Sequence, residues 1–437
     1  MTSTPDAPVL PSAAGARSWL PPHRDVRRLL WVAAITLGYA LILLLRRPSG
    51  LSDPTIWAED GGIFIAGSFD SWGQLLTTYA GQTWLLQRLI AGVIGQLPAP
   101  WWPSALYVAS CVGAALAAAV VLSERARPLL GRFRWRVLAG ALLVLLPGIW
   151  EVQGNLANLH WWAIAAAMVL LAMAAPRSRA GRVAEFALIV VVAFTGLGGV
   201  LLLPVALWRL LGGRDAYLVA RSAVIAVAAA VQVVLTFTLT DRGDNDAIGA
   251  LPTFVEFLLK RIGGGLLLGE RGLDRLWVAG PWLAPLALLA LVLLALIGAL
   301  AVIDWRGPSW AWLATGVLCV GLATVATPAD RLASTLAPYV SGRYALLLLA
   351  AAVLVVVRGV AVGGRPGRWL AAGALVLMVG GVVGDAVLPP LAPGIPQSEL
   401  VLMQSCLDAE PRFADAPFCY VPTQPEAGNW KVLVPRS

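Results

Sequence analysis

LAPLALLALVLLALIGALAVI, residues 283–303, contains no charged and no hydrogen-bonding side chain. As an α-helix it would rise about 30 Å, the thickness of a bilayer's hydrocarbon core. A helix that is apolar on every side has no face for water, so the stretch reads as a membrane span. Further apolar runs lie near residues 29–45, 103–122, 137–150, 159–175, 183–195, 198–209, 221–240, 310–326, 344–360 and 369–388. The 437 residues are 59% hydrophobic and 13% charged, with a mean hydropathy of +0.78. A soluble fold could not hide that much apolar surface. The expected fold class is all-α, a polytopic transmembrane helical bundle of about 11 spans. One pair is irregular. Arg182 to Arg209 is too long for one span and short for two, and Thr195-Gly196-Leu197-Gly198-Gly199 interrupts it. A broken hairpin fits, because both flanks are arginine-rich and should share a side.

The net charge of +8 does not point to nucleic acid, because the basic residues cluster at helix ends, where they report topology. They favour a cytoplasmic N-terminus, with residues 1–28 a disordered leader and no cleavable signal peptide evident. Arg46 and Arg47 count against this orientation, since they follow the first span on the outer side. An inverted topology is the alternative. The core, 29–388, carries outer loops 46–102 and 241–282, and 389–437 forms an extracytoplasmic tail. This is the layout of a multi-pass inner-membrane protein. Thr83 to Leu97 reads as an amphipathic helix along the interface, followed by a rigid Pro98 to Pro103 corner that sets Trp101 and Trp102 at headgroup depth. Residues 252–268 form a second interfacial candidate, with Lys260 and Arg261 towards headgroups. Cys406 and Cys419, thirteen apart in the Pro-rich tail, suit a disulfide in an oxidising compartment, with two free thiols the alternative.

The sharpest motif is Trp57-Ala58-Glu59-Asp60-Gly61-Gly62-Ile63-Phe64. Adjacent carboxylates push each other's pKa apart, so one can take a proton from a hydroxyl while the other binds a metal or orients the acceptor. A solvated acidic loop is the bland alternative. In the next outer loop, Glu151 to Trp162 supplies Asn155 and Asn158 for sugar hydroxyls, His160 as a donor to a phosphate oxygen, and Trp161 or Trp162 to stack on a sugar. A helix cap within a tryptophan belt would also explain these residues. Arg331 and Ser341-Gly342-Arg343-Tyr344 flank the outer start of a span, where arginine can grip a lipid-linked phosphate and Tyr344 adds a hydroxyl; snorkelling to ordinary lipid is the equal alternative. Asp241, Asp244 and Asp246 lack the length and closing glutamate of a calcium loop.

With its Glu59-Asp60 pair just after the first span and its 83–97 juxtamembrane segment, the chain resembles the glycosyltransferase C superfamily, membrane enzymes that take sugars from polyprenyl-phosphate donors. The resemblance implies inverting transfer to an extracytoplasmic cell-envelope glycan or glycolipid acceptor. Asp60 or Glu59 would be the general base, Arg343, Tyr344, His160 and Arg331 would bind the donor phosphate, and Trp57, Asn155, Asn158 and Trp161 would contact sugar or acceptor. A divalent cation could assist but is not required by the sequence. The arginine-rich, alanine-rich bias of an actinobacterium-like chain suggests arabinosyl or mannosyl transfer. A lipid-linked glycan polymerase or ligase would share the outer arginines and histidine. A transporter is the other alternative, but it would need more ionisable groups at mid-membrane.

Overall fold

The computed structural model describes residues 23–69, 72–213, 215–239, 250–279, 284–328, 332–408, 418–423 and 431–435. Arg331 and the Asp241, Asp244 and Asp246 run lie outside these residues, as does most of the leader. Each apolar run of the sequence coincides with a helix. Among the described residues, seven helices are long and apolar enough to cross a membrane: Val26–Arg46, Ala99–Leu122, Ala216–Leu239, Pro285–Ile303, Ser309–Ala326, Gly342–Val362 and Arg365–Gly384. Leu85–Ile94, Leu159–Ala172 and Gly198–Leu211 are shorter apolar helices. The chain is a polytopic helical membrane protein.

The environment of each helix follows its pattern. Gly342–Val362 is apolar all round and buried without interruption from Ala345 to Val357, so it is the central post of the bundle. Gly316 lets the Ser309–Ala326 helix approach it closely, since a Cβ there would lie 2.5 Å from Leu348 Cα. Outer helices expose their apolar side chains instead, such as Leu29, Leu30 and Leu37 on the first and Leu288, Leu291 and Val302 on the Pro285–Ile303 helix. Lipid is the solvent that tolerates such surfaces.

The broken hairpin is built from Arg179–Ala193 and Gly198–Leu211, with Gly196 at φ +55° in the turn. Backbone groups freed by the break are taken by the segment entering the Leu85–Ile94 helix. Gly196 N–H donates to Thr83 O at 2.8 Å, Leu86 N–H to Thr195 Oγ1 at 3.1 Å, and Thr83 Oγ1 to Phe194 O at 2.7 Å. Irregular backbone at membrane depth survives only where protein satisfies it in this way. The interfacial helix turns Leu89 and Val93 outward and buries Gln87 and Arg88.

Three basic residues have structural roles that differ from the expectation. Arg46 and Arg47 are buried at the end of the first span. Arg46 donates to the carbonyls of Val144, Leu146 and Asp385, and Arg47 to those of Gln153, Trp150 and Pro389. They tie the span to two other segments, so their position carries no topological information. Arg261 does not face headgroups; it forms a fully buried bidentate pair with Glu270, at 2.8 and 2.7 Å. Trp101 is exposed, whereas Trp102 is buried and donates from Nε1 to Leu97 O at 2.8 Å.

The tail forms a helix, Gln397–Leu407, and an antiparallel hairpin of β1 (Phe418–Pro422) and β2 (Lys431–Pro435), with Cys419 opposite Val434 and Val421 opposite Val432. A disulfide joins Cys406 to Cys419. The hairpin packs on the acidic segment that follows the first span. A Cβ on Gly61 would lie 2.5 Å from Thr423 Cγ2 and 2.8 Å from Val432 Cγ2, so only glycine fits there.

Candidate active site

Glu59 and Asp60 open a π-helical turn, Asp60–Ile65. Such turns are rare and often mark functional positions. Consecutive residues on a helical turn point in different directions, and the two carboxylates part accordingly. Asp60 is 1% exposed. Its Oδ2 accepts from Leu156 N–H at 2.8 Å and its Oδ1 from Ala157 N–H at 2.6 Å. Burial pushes this carboxyl up to about 8, the two N–H donors oppose the shift, and the charge of Glu59 adds to it. Asp60 therefore clamps the loop after the first span to the loop that leads into the Leu159–Ala172 helix. Glu59 instead lines a cavity of about 350 Å³, and its carboxylate has no hydrogen-bond or ion-pair partner among the described residues.

Its polar and aromatic lining is Glu59, Tyr79, Gln82, Trp84, Asn158, His160, Trp161, Arg343 and Tyr344. Apolar side chains also line it: Leu197 and Leu201, from the N-cap and body of one helix, and Cys319, Leu322, Ala323 and Ala326 from another. The rings make a continuous wall. Trp84 meets His160 edge-on at 4.9 Å, His160 lies 4.4 Å from Trp161, and Trp161 meets Tyr344 edge-on at 6.0 Å. Burial pushes the Tyr79 phenol up to about 12, with Glu59 adding to the shift and Arg343 opposing it, so both charges act on one point of the wall.

His160 Nδ1 lies 2.8 Å from Ala157 O. A carbonyl only accepts and an amide nitrogen only donates, so the proton sits on Nδ1 when that atom bonds Ala157 O and on Nε2 when it accepts from Gln87. Gln87 Nε2, 3.0 Å from the same Nδ1 and 3.1 Å from Ala157 O, packs behind the ring.

Arg343 begins the central helix, and the turn before it is strained. Tyr339 and Ser341 hold φ of +61° and +58°, and Ala80, also on the cavity, +51°. Left-handed backbone at non-glycine residues persists only where surroundings enforce it. Here the buried Arg261–Glu270 pair does so: Tyr339 N–H donates to Glu270 Oε2 at 3.0 Å and Arg261 Nη2 to Val340 O at 3.1 Å. The Arg343 guanidinium lies 5.1 Å over the Tyr344 ring and 3.2 Å from Glu151 Oε1.

The fold thus brings together Glu59, Asn158, His160, Trp161, Arg343 and Tyr344. It places Asp60 and Asn155 behind the wall, with Asn155 Nδ2 donating to Glu151 O at 2.6 Å. Trp57 packs half-buried against the core away from the cavity. Tyr79, Gln82 and Trp84 were not anticipated as site residues. Among the described residues no group of three or more His, Cys, Asp or Glu is placed to hold a metal ion.

No family model matches the chain, and no curated protein matches it. Among solved structures it is similar to ArnT from Cupriavidus metallidurans bound to undecaprenyl phosphate, at 16% identity, covering 86% of this chain and 68% of that one, with a TM-score of 0.41. A likeness at that level assigns neither a family nor an activity.

Proposed function

We propose that the chain is an inverting glycosyltransferase of the glycosyltransferase C type, moving a sugar from a polyprenyl-phosphate donor to a hydroxyl of an extracytoplasmic envelope glycan or glycolipid. One observation carries this reading: Glu59, a carboxylate without a partner among the described residues, and a guanidinium, Arg343, line one cavity together with apolar side chains such as Leu201, Leu322 and Ala323. A sugar phosphate suits the charged and polar lining and the start of a polyprenyl chain the apolar lining. The aromatic wall supplies stacking surfaces for a sugar ring, and Asn158 and Gln82 supply amides for its hydroxyls.

In this mechanism Glu59 accepts the proton of the acceptor hydroxyl, and the oxygen attacks the anomeric carbon opposite the phosphate. The bond from that carbon to the phosphate oxygen breaks, and its electron pair leaves on polyprenyl phosphate, whose charge Arg343 stabilises. Asp60 acts through position, not by touching substrate. Glu59 is the single carboxylate among the described lining residues. A hard divalent cation would take one oxygen ligand from it and the rest from substrate and water. The acceptor's approach is supported by a groove of about 760 Å³ that shares Phe64 with the cavity and is lined by Leu75, Leu89 and Leu97. The loops 46–102 and 241–282, the core 29–388 and the tail 389–437 fit a site on the outer face.

The test is transfer from radiolabelled polyprenyl-phosphate sugars, arabinosyl and mannosyl donors included, to envelope acceptors. Wild type should transfer from one donor and Glu59→Gln from none. Transfer only from diphosphate-linked oligosaccharides would instead indicate a lipid-linked glycan ligase. Substrate translocation without transfer would indicate a transporter.

A further inference from the structure

Two of the Arg–Glu pairs among the described residues are of opposite character. Arg261 and Glu270 are fully buried and bidentate, at 2.8 and 2.7 Å. Arg343 reaches Glu151 through one nitrogen, Nη1 to Oε1, at 3.2 Å, and its backbone N–H donates to Glu151 Oε2 at 3.4 Å. Charge-assisted bonds between such groups normally measure about 2.7–2.9 Å, so this second pair is loosely made. Its exposure is also asymmetric: the Glu151 side chain is 10% exposed and that of Arg343 is 34%. Glu151 is held from behind. Its carbonyl accepts from Asn155 Nδ2 at 2.6 Å and Asn158 Nδ2 at 3.2 Å, and Asp60 grips the same loop at Leu156 and Ala157. A fixed carboxylate thus holds a partly free guanidinium at the cavity wall.

We propose that Glu151 is a positioning residue that exchanges Arg343 with the phosphate of the lipid-linked substrate, holding the guanidinium when the cavity is empty and competing for it again when the product phosphate must leave. This rests on the reading of Arg343 as the phosphate-binding residue. The chemistry gives the exchange a direction. A polyprenyl-phosphate sugar is a phosphodiester with one negative charge, whereas the departing polyprenyl phosphate is a monoester carrying about −1.5 to −2 near neutrality. Glu151 repels both, and it repels the product more. Its carboxylate therefore weakens product retention more than donor binding, which favours turnover at a site that must grip phosphate and then release it.

The experiment measures binding of two probes, decaprenyl phosphate and its methyl diester, to the full chain in nanodiscs of uncharged lipid at pH 7.5. Wild type, Glu151→Gln and Arg343→Ala are compared. Glu151→Gln keeps the shape and removes the charge. It should tighten the monoester on the order of tenfold and the diester by a smaller factor, and in the transfer assay it should strengthen product inhibition while lowering kcat more than KM. Arg343→Ala should weaken both probes. Unchanged or weaker monoester binding by Glu151→Gln overturns the exchange, because a merely structural role predicts loss. If Glu151→Gln does not fold, Glu151→Ser removes the same charge with less volume and is read in the same way. Unaltered binding by Arg343→Ala defeats the phosphate-site reading itself. Loss in Arg343→Ala with no gain in either Glu151 variant defeats the exchange alone.

Discussion

Replacing the two adjacent acids separately should produce opposite defects. Glu59→Gln keeps side-chain volume at a position with no hydrogen-bond or ion-pair partner among the described residues, so stability should change by less than about 0.5 kcal/mol, as at unconstrained surface sites. What is lost is the proton acceptor. General-base catalysis contributes roughly 10²- to 10⁴-fold, or about 3–5 kcal/mol of barrier. Asp60→Ala removes the acceptor for two buried N–H groups, those of Leu156 and Ala157. At about 1–3 kcal/mol for each donor left unpaired, the fold should lose about 4 kcal/mol. The assay pairs single-turnover transfer by reconstituted protein with thermal unfolding of the same preparation. Glu59→Gln should melt like wild type and be inactive, while Asp60→Ala should melt far earlier. If Glu59→Gln transferred at the wild-type rate while Asp60→Ala melted normally and were inactive, the assignment of base and clamp would be reversed.

Asp60 also predicts a pH dependence. Its carboxyl is raised from 3.8 to about 8 by burial, so between those values the folded state holds a proton that the unfolded state has released. Stability must then fall as pH rises through that window and level off above about 8, by at most roughly 6 kcal/mol at 1.36 kcal/mol per unit. Unfolding of wild type from pH 5 to 9 should show the decline, and Asp60→Asn, which stays neutral, should lack that component; equal slopes would refute it. Gly61→Ala places a methyl 2.5 Å from Thr423 Cγ2 and 2.8 Å from Val432 Cγ2. It should cost about 1–3 kcal/mol and make the tail hairpin more sensitive to limited proteolysis, and wild-type protection would show that the hairpin does not dock there. Arg261→Met should cost about 3–5 kcal/mol by stranding Glu270, and Arg261→Met with Glu270→Met should recover much of that in the melt. Neither variant should bind polyprenyl phosphate normally if the pair enforces the turn before Arg343.

The spans were legible because lipid imposes one severe rule, that every exposed side chain be apolar over about twenty residues. The central helix and Pro285–Ile303 obey it equally in sequence, and only packing distinguishes the buried post from the lipid-facing helix. The same rule misled at Arg46, Arg47 and Arg261. Positive charges near span ends are read as facing headgroups, yet these three satisfy buried carbonyls or a buried carboxylate, which hydropathy cannot register. Cys419 and Val421 alternate with exposed Phe418 and Tyr420, a two-residue period that marks a strand, but five residues are too few to stand out in a proline-rich tail. Trp84 was absorbed into the reading of an interfacial helix over 83–97, and Tyr79, upstream of it, carried no pattern of its own. Their place on the cavity depends on the hairpin turn at Thr195 and Gly196, more than a hundred residues further along the chain.

Which acid faces the cavity was undecidable from sequence, because one step along a helical turn separates them and no pattern shows how that turn is rotated. The structure supplies a reason for having both. Glu59 must stay unpaired to accept a proton, and an unpaired carboxylate contributes nothing to holding its own loop in place. Asp60 supplies that hold by locking the turn to Leu156 and Ala157, one turn before His160 and in the same loop as Asn158. The tail hairpin presses on Gly61 from the other side. Catalytic geometry tolerates little error, and a displacement of about 1 Å can cost a hundredfold. The acid that performs no chemistry therefore determines where the other one stands relative to the aromatic wall. Loosening Asp60 should lower transfer even at temperatures where the helices remain folded.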